Sequence, residues 1–247
     1  MDTMKKITLA TTGSLLTVLA LAGCSTTASL DTSPATIAVS ASTKSTTTVD
    51  TSGNTVNCEG SVSASPSVTE GPYYKAGDFV RSDITEGQAG LPMTLTLTVV
   101  DTNCQPVPNA RVDIWHANAQ GQYSGVTDPK EGCADCGDKT FLRGTQTTND
   151  QGQVTFQTIF PGWYPGRTVH IHVKIWEKGS EVLTTQLFVT KADADTAFAT
   201  AGYKGEQNTT NEQDRIAQQL GSQISNLMLA NNFSGSTVSS QAQIVLP

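Results

Sequence analysis

The amino-acid sequence predicts an all-β fold, an antiparallel β-sandwich. Several short segments alternate apolar and polar residues with the period of two that is typical of β-strands with one buried face. Turns rich in Gly, Pro, Asn and Asp separate these segments at regular intervals. Many short strands divided in this way are typical of two packed sheets.

The predicted strands lie in the middle of the chain, at 93–101, 110–116, 141–147, 154–160, 169–176 and 182–189. Pro106 and Pro108 make the first connection a turn, because proline has no amide hydrogen for strand pairing. The sequence Asn149-Asp150-Gln151-Gly152 is typical of a hairpin turn.

The C-terminal part is predicted to contain one short helix, over 211–220. Asn211 is the expected N-cap, and Glu212 and Asp214 lie in the first turn, where acidic side chains interact favourably with the helix dipole. Beyond Gly221 the pattern mixes helical and strand signals and favours neither.

The first residues resemble a bacterial lipoprotein signal peptide, predicted over 1–23. Lys5 and Lys6 precede an apolar stretch, and Leu21-Ala22-Gly23-Cys24 is similar to a lipobox, which makes Cys24 the expected lipidation site. An uncleaved membrane anchor is the alternative, although threonines and a glycine interrupt this short stretch. We therefore expect an exported cell-envelope lipoprotein that contacts a membrane through acyl chains on Cys24. Ser25 favours the outer membrane if the cell has one.

Residues 24–60 are predicted to form a disordered tether. They consist mainly of Ser, Thr and Ala, which bury too little apolar surface to offset the entropy lost on folding. Residues 61–247 are expected to form one folded domain. The net charge of −7 over the full chain argues against nucleic acid as a partner, as does the lack of a Lys/Arg cluster in residues 61–247. The sequence leaves the oligomeric state open, a monomer included.

Four cysteines follow Cys24, and in an exported protein an even number suggests two disulfides. Three connectivities are possible, of which we favour Cys133–Cys136 with Cys58–Cys104. The Cys133/Cys136 pair is also compatible with half a zinc site or with a thioredoxin-like redox motif. No second pair completes the zinc site, and the surrounding Asp and Gly residues indicate a loop rather than a strand-to-helix turn.

The strongest sign of chemistry lies in the stretch 161–176. His170 and His172 alternate with Val169, Ile171 and Val173, which places both imidazoles on one face of a strand. They are two of only three histidines in the chain. A His-x-His pair by itself is more often a solvated part of a strand than a metal site, and the third histidine, His116, is not expected to be a ligand.

Two tyrosines complete a possible metal site. Tyr164 precedes the strand in a turn that can bring it over the histidine face, and Tyr123 follows a strand that can pair in the same sheet. Either tyrosine alone is more often a packing residue. Two imidazoles and two phenolates together suit ferric iron, since phenolate is a hard anionic donor, whereas zinc normally takes His, Cys or carboxylate. Contact with a trivalent ion would deprotonate tyrosine, whose usual pKa is about 10.

The flanking residues resemble the intradiol ring-cleavage dioxygenase family, of the catechol and protocatechuate dioxygenase type. The resemblance extends in order over about 66–216. The similar segments are Thr69-Glu70-Gly71-Pro72-Tyr73-Tyr74, Val112-Asp113-Ile114-Trp115-His116-Ala117-Asn118-Ala119-Gln120-Gly121-Gln122-Tyr123, Phe141-Leu142-Arg143-Gly144-Thr145-Gln146, Pro161-Gly162-Trp163-Tyr164, Arg167-x-x-His170-x-His172 and Thr185-Gln186-Leu187-Phe188.

This resemblance implies a prealbumin- or transthyretin-like sandwich and a non-haem Fe(III) cofactor. The implied iron ligands are Tyr123, Tyr164, His170 and His172. The implied substrates are a catechol, which would displace Tyr164 from the iron, and O₂. The product would be a cis,cis-muconate-type dicarboxylic acid formed by ring opening between the two hydroxyl-bearing carbons.

Further roles follow from the same resemblance. Arg167 would stabilise negative charge that develops beside the metal, and Gln186 would support the site from outside the ligand set. Tyr73 and Tyr74 would border the substrate pocket.

Two other interpretations remain open. The strands also resemble non-catalytic transthyretin-like modules of the envelope, and a hydrolase with a His-bound divalent metal is a weaker option. The helical N-terminal dimerisation domain found in the catechol and hydroxyquinol branches has no counterpart here, and the Cys133/Cys136 loop departs from the family pattern. These departures concern substrate and assembly, and the four proposed ligands are unaffected.

Overall fold

The computed structural model describes residues 62–77, 79–127, 133, 135–200 and 202–247, together with two short strands, β1 at Thr48–Val49 and β2 at Thr55–Val56. These two strands pair with each other in antiparallel orientation. The predicted signal peptide and the predicted lipidation site, Cys24, lie outside the described residues. Most of the predicted tether lies outside them as well.

Eight further strands form two four-stranded sheets, which confirms the predicted sandwich. The strands are β3 (Pro92–Val100), β4 (Arg111–Trp115), β5 (Arg143–Thr147), β6 (Gln153–Ile159), β7 (His170–Glu177), β8 (Ser180–Phe188), β9 (Ala230–Ser234) and β10 (Thr237–Val245). One sheet has the order β6-β3-β10-β9, and the other has the order β5-β4-β7-β8.

The core between the sheets follows from the alternation of side chains along each strand. Leu95 of β3 and Ile171 and Val173 of β7 are fully buried and belong to one apolar cluster. Burial of each such side chain stabilises the fold by roughly 1.5–3 kcal/mol. Because side chains alternate, the core residues of β7 leave His170 and His172 on the opposite face of that sheet.

The last strand adds one parallel pair to the predicted antiparallel sandwich. β10 pairs in parallel with β3, from Val238 opposite Met93 to Val245 opposite Val100, and in antiparallel with β9. A parallel pair joins strands that are distant in sequence, and no local pattern specifies such a partner. A 3-10 helix at Gly221–Leu227 and the β9–β10 hairpin account for the mixed signals beyond Gly221.

Two short α-helices accompany the sheets. The first, α1 (Lys191–Phe198), was not predicted, and its N-cap Thr190 accepts a hydrogen bond from the backbone amide of Asp193 at 3.1 Å. The second, α2, covers Arg215–Leu220. None of the helices within the described residues has the length and apolar character needed to cross a membrane.

The predicted helix over 211–220 was therefore too long at its start, and its N-cap was wrong. Asp214 caps α2, because its Oδ1 accepts from the backbone amide of Ile216 at 2.7 Å. Asn211 uses its side chain elsewhere. Its Nδ2 donates to the carbonyl oxygen of Val189, and its Oδ1 accepts from the hydroxyl of Thr168.

Candidate metal centre

Strand β7 places His170 and His172 on one face of its sheet, as the alternation predicts. Their exposed fractions are only 3% and 2%, so neither is a solvated strand residue. Burying two polar rings is costly unless their nitrogens find partners. The surroundings of these nitrogens therefore decide what the pair does.

Trp115, His172 and Gln186 form a row across three neighbouring strands. Trp115 of β4 and Gln186 of β8 are the register partners of His172. The indole of Trp115 stacks on the imidazole of His172, with ring centroids 4.7 Å apart and planes 6° from parallel. This stacking fixes the plane of the His172 ring. Trp115 was not identified from the sequence, although the alternation along β4 places it on the site face.

Tyr123 and Tyr164 reach the same place from two loops whose backbones touch. Gly121 lies two residues before Tyr123, and a Cβ atom there would be only 2.0 Å from the carbonyl oxygen of Trp163. Gly162, two residues before Tyr164, is similarly close, since its Cβ would be 2.2 Å from a carbonyl oxygen of the first loop. Only glycine permits such an approach, so these two glycines keep the tyrosine loops together.

Three possible ligand atoms surround a fourth, Nε2 of His170. The Oη atoms of Tyr123 and Tyr164 each lie 3.3 Å from it. Nε2 of His172 lies 3.2 Å from it. The structure therefore brings together the four side chains that were predicted as ligands.

Both imidazoles are neutral at pH 7. Burial, reinforced by the charge of Arg167, lowers the pKa of His170 to about 3. Burial and the neighbouring His170 hold the pKa of His172 well below its usual value. Nδ1 of His170 lies 2.6 Å from the carbonyl oxygen of Thr168, so Nδ1 carries the ring proton and Nε2 keeps its lone pair. This is the arrangement in which histidine binds a metal.

The phenol of Tyr123 needs a cation before it becomes an anionic ligand. Burial raises the pKa of Tyr123 well above its usual value, and the adjacent Tyr164 contributes to the increase. The described part of the chain holds no cluster of three or more His, Cys, Asp or Glu side chains suited to a metal. A metal bound here would therefore use the phenol oxygens together with the two imidazoles, and this donor set fits a hard, highly charged cation.

Arg167 is a fixed positive charge beside Tyr164. Its Nε donates to Oδ2 of Asp214 at 2.8 Å, its Nη2 donates to Oε1 of Gln186 at 2.5 Å, and its Nη1 lies 3.4 Å from Oη of Tyr164. Burial opposes ionisation of Asp214, but the charge of Arg167 and several hydrogen bonds outweigh it and keep the pKa of Asp214 below its usual value. Asp214 also accepts from the backbone amide of Thr168. It therefore holds both Arg167 and the start of β7, a role that no sequence pattern indicated.

Gln186 connects Arg167 to the segment 69–74. Its Oε1 accepts from Arg167, and its Nε2 donates to the carbonyl oxygen of Thr69 at 2.8 Å. The side chain is fully buried. Because both ends of its amide are occupied, Gln186 is placed to orient Arg167.

The two adjacent tyrosines of segment 69–74 have different surroundings. The ring of Tyr73 stacks on that of Tyr123, with centroids 4.8 Å apart, so Tyr73 borders the four donors. Tyr74 packs against Trp115, and its hydroxyl donates to Oδ2 of Asp113 at 3.2 Å. Asp113 lies two residues before Trp115 on β4, which places the Tyr74 hydroxyl further along the sheet, beyond the row that contains His172.

His116 makes hydrogen bonds of its own. Its Nδ1 lies 2.9 Å from the carbonyl oxygen of Ala117, and its Nε2 lies 2.8 Å from the hydroxyl of Thr158. Since both ring nitrogens are engaged in this way, neither is directed at the four donors.

Cys133 and Cys136 form a disulfide, as predicted, and a disulfide-bonded pair cannot serve as half a zinc site. The carbonyl oxygen of Cys136 accepts from the backbone amide of Gly125 at 2.6 Å, which attaches the disulfide loop to the loop of Tyr123. Cys104 is also disulfide-bonded. Its predicted partner, Cys58, lies outside the described residues.

Comparison with known proteins identifies the family. Residues 65–201, more than half of the chain, match the family model described as Dioxygenase. The structure also resembles that of an intradiol ring-cleavage dioxygenase from Tetranychus urticae, with a TM-score of 0.67 and 33% sequence identity over 75% of this chain and 94% of that one. The chain belongs to the intradiol ring-cleavage dioxygenase family.

Other members of the intradiol dioxygenase family differ in length from this chain. The dioxygenase domain of a carbohydrate-binding fusion protein from Streptomyces sp. SirexAA-E is 30% identical, with a TM-score of 0.56 over 74% of this chain and 98% of that one. Catechol 1,2-dioxygenase from Acinetobacter baylyi is 31% identical over 154 residues, which are 53% of this chain and 48% of that protein. The matched part thus spans about half the length of this relative.

Gly121→Ala tests the contact between the two tyrosine loops. The new methyl group would collide with the carbonyl oxygen of Trp163, and φ at this position is +76°. We expect the variant to lose about 3 kcal/mol or more of unfolding free energy. Gly179→Ala is the matched control, because φ is +83° there but no atom lies within 4 Å. It should lose about 1 kcal/mol. Equal losses in denaturant titrations of the two variants would contradict the proposed role of the contact.

Asp214→Asn tests the buried ion pair with Arg167, because it removes the charge and keeps an oxygen that can cap α2. Removing one partner of a buried pair should cost about 3 kcal/mol at pH 7. The native pKa of Asp214 lies below its ordinary value of 3.8, so the carboxylate stabilises the fold above about pH 4, and this stabilisation is lost as the pH falls through the native pKa. The difference from wild type, measured by unfolding titrations, should shrink below pH 4. A difference that grew on acidification would refute the ion pair.

Proposed function

We propose that this protein is a non-haem Fe(III)-dependent intradiol dioxygenase that opens the ring of a catechol with O₂. The observation that carries the proposal is that the two phenol oxygens and Nε2 of His172 all lie within 3.3 Å of Nε2 of His170, in a buried place. The family of the chain supports it. The product would be a cis,cis-muconate-type dicarboxylic acid that contains both atoms of O₂.

Tyr123, Tyr164, His170 and His172 would hold the iron. Two neutral imidazoles and two phenolates leave one positive charge on Fe³⁺, so the ion is largely compensated without a nearby carboxylate ligand. Ferric iron in this site would supply a Lewis acid and a template that binds both catechol oxygens and makes the ring reactive towards O₂.

The two tyrosines would have different roles, because Tyr123 would stay bound to the iron and Tyr164 would leave it when the catechol binds. Oη of Tyr164 lies in reach of the Arg167 guanidinium, which would stabilise it as an anion able to accept a proton from a catechol hydroxyl. Tyr123 has the aromatic ring of Tyr73 stacked on it. Tyr73 would thereby form one wall for the substrate ring, whereas Tyr74, bonded to Asp113, would support that wall through Trp115.

Arg167 would also stabilise negative charge on the substrate oxygens during ring opening, because its position is fixed before the substrate arrives. Asp214 and Gln186 hold its guanidinium from two sides. Fixed charges that need no rearrangement are effective in stabilising a transition state.

Iron-loaded protein should test the proposal directly. We expect a red-brown colour from tyrosinate-to-iron charge transfer, a shift of the band on anaerobic addition of a catechol, and uptake of one O₂ per catechol cleaved. Tyr123→Phe and His170→Ala should weaken the colour and iron binding.

The matched control for these variants is Tyr203→Phe. The hydroxyl of Tyr203 bonds to the carbonyl oxygen of Phe160 and the amide of Leu91, so this variant should keep the wild-type spectrum. A colourless protein with full iron occupancy, or no O₂ uptake with catechol, protocatechuate or hydroxyquinol, would favour the non-catalytic sandwich instead.

A further inference from the structure

Arg143 lies at the opposite end of the site from Arg167. It begins β5, and its register partner on β4 is Trp115. Together with Trp115, His172 and Gln186, it completes a row across all four strands of this sheet. Arg167 contacts the Gln186 end of the row. A second guanidinium therefore belongs to the same layer of side chains as the predicted metal ligands.

The side chain of Arg143 is attached to the residue that follows Tyr123. Its Nε donates to the hydroxyl oxygen of Ser124 at 2.9 Å, and its Nη2 donates to the carbonyl oxygen of Ser124 at 2.6 Å. The hydroxyl of Ser124 in turn donates to the carbonyl oxygen of Phe141 at 2.6 Å. These bonds fix the guanidinium beside the Tyr123 loop and fix the loop itself.

The environment of Arg143 is unusual for a buried cation. Its exposed fraction is 2%, and none of the ion pairs between described residues includes it. Arg167, by contrast, is paired with Asp214. A buried charge without an opposite charge is strongly destabilising. The position thus calls for an anion nearby.

Tyr123 is the group that can supply this anion. Burial lowers the pKa of Arg143 to about 10, which leaves it charged at neutral pH, and its guanidinium is bonded to Ser124, the residue that directly follows Tyr123. Arg143 is thus attached to the loop of Tyr123, whereas Arg167 lies 3.4 Å from Oη of Tyr164.

We propose that Arg143 is a positioning residue that holds the Tyr123 loop and supplies the positive charge that balances Tyr123 as an anionic metal ligand. This inference rests on the proposed function, since it requires Tyr123 to bind iron. It gives the two arginines separate tasks. Arg143 favours the tyrosinate that stays bound, and Arg167 stabilises the one that gives way to substrate.

Three variants separate charge from structure. Arg143→Gln keeps a hydrogen-bond donor and removes the charge, whereas Arg143→Lys keeps the charge and removes the planar fork. Arg81→Gln is the matched control. The guanidinium of Arg81 donates to the carbonyl oxygen of Arg143 and is paired with Glu86, so this change disturbs the same strand end without touching Ser124.

The readouts are Fe(III) affinity, from competition with a chelator, and the position of the charge-transfer band. Arg143→Gln should bind iron about 10- to 100-fold more weakly, as is usual when a group supporting a metal ligand is lost. Its band should move to longer wavelength, because the phenolate donor loses the positive charge beside it. Arg143→Lys and Arg81→Gln should keep the wild-type band.

The outcomes separate this inference from the proposed function. A wild-type protein without the band refutes the proposed function, and this inference with it. A wild-type band together with an unchanged band and affinity in Arg143→Gln overturns only the role of Arg143. If Arg143→Gln does not fold, the position of the charge-transfer band in Arg143→Lys is the test. A band at the wild-type position supports balancing by charge, and a shift to longer wavelength overturns it.

Discussion

The centre depends on one physical constraint, the burial of Nε2 of His170 together with three other polar atoms that lie within 3.3 Å of it. Buried polar groups are costly unless they are satisfied. The imidazoles do not become protonated at neutral pH, because burial lowers the pKa of His170 to about 3. The phenol of Tyr123 also resists ionisation, since burial raises its pKa. A metal cation resolves both problems at once, because it accepts the imidazole lone pairs and replaces the phenol protons.

The fold meets this constraint with two kinds of support. Strand β7 supplies both histidines, and the stacked Trp115 fixes one ring. The tyrosines come from loops, and close backbone contacts at Gly121 and Gly162 bring these loops together. A loop suits Tyr164, which would give way to substrate under the proposed function, whereas the loop of Tyr123, which would stay bound, is fixed by Arg143. The arginines add fixed charge on both sides.

The sequence predicted the parts of the site that follow from a local period or from a recognised segment. Alternation placed His170 and His172 on one face, the predicted turn and neighbouring strand made Tyr164 and Tyr123 candidates, and the resemblance to a known family implied all four as ligands. Contacts between segments that are distant in sequence could not be predicted from local patterns. Asp214 was assigned to a first helical turn, yet it is the N-cap of α2 and the partner of Arg167. The parallel pairing of β10 with β3 likewise joins residues more than a hundred positions apart.

The central claim is that ferric iron binds between these four side chains. The most direct test is diffraction from crystals of the iron-loaded protein on either side of the iron absorption edge. We expect one strong anomalous peak in bonding contact with Oη of Tyr123, Oη of Tyr164 and Nε2 of both His170 and His172. A peak elsewhere, or no peak in protein that contains stoichiometric iron, would contradict it.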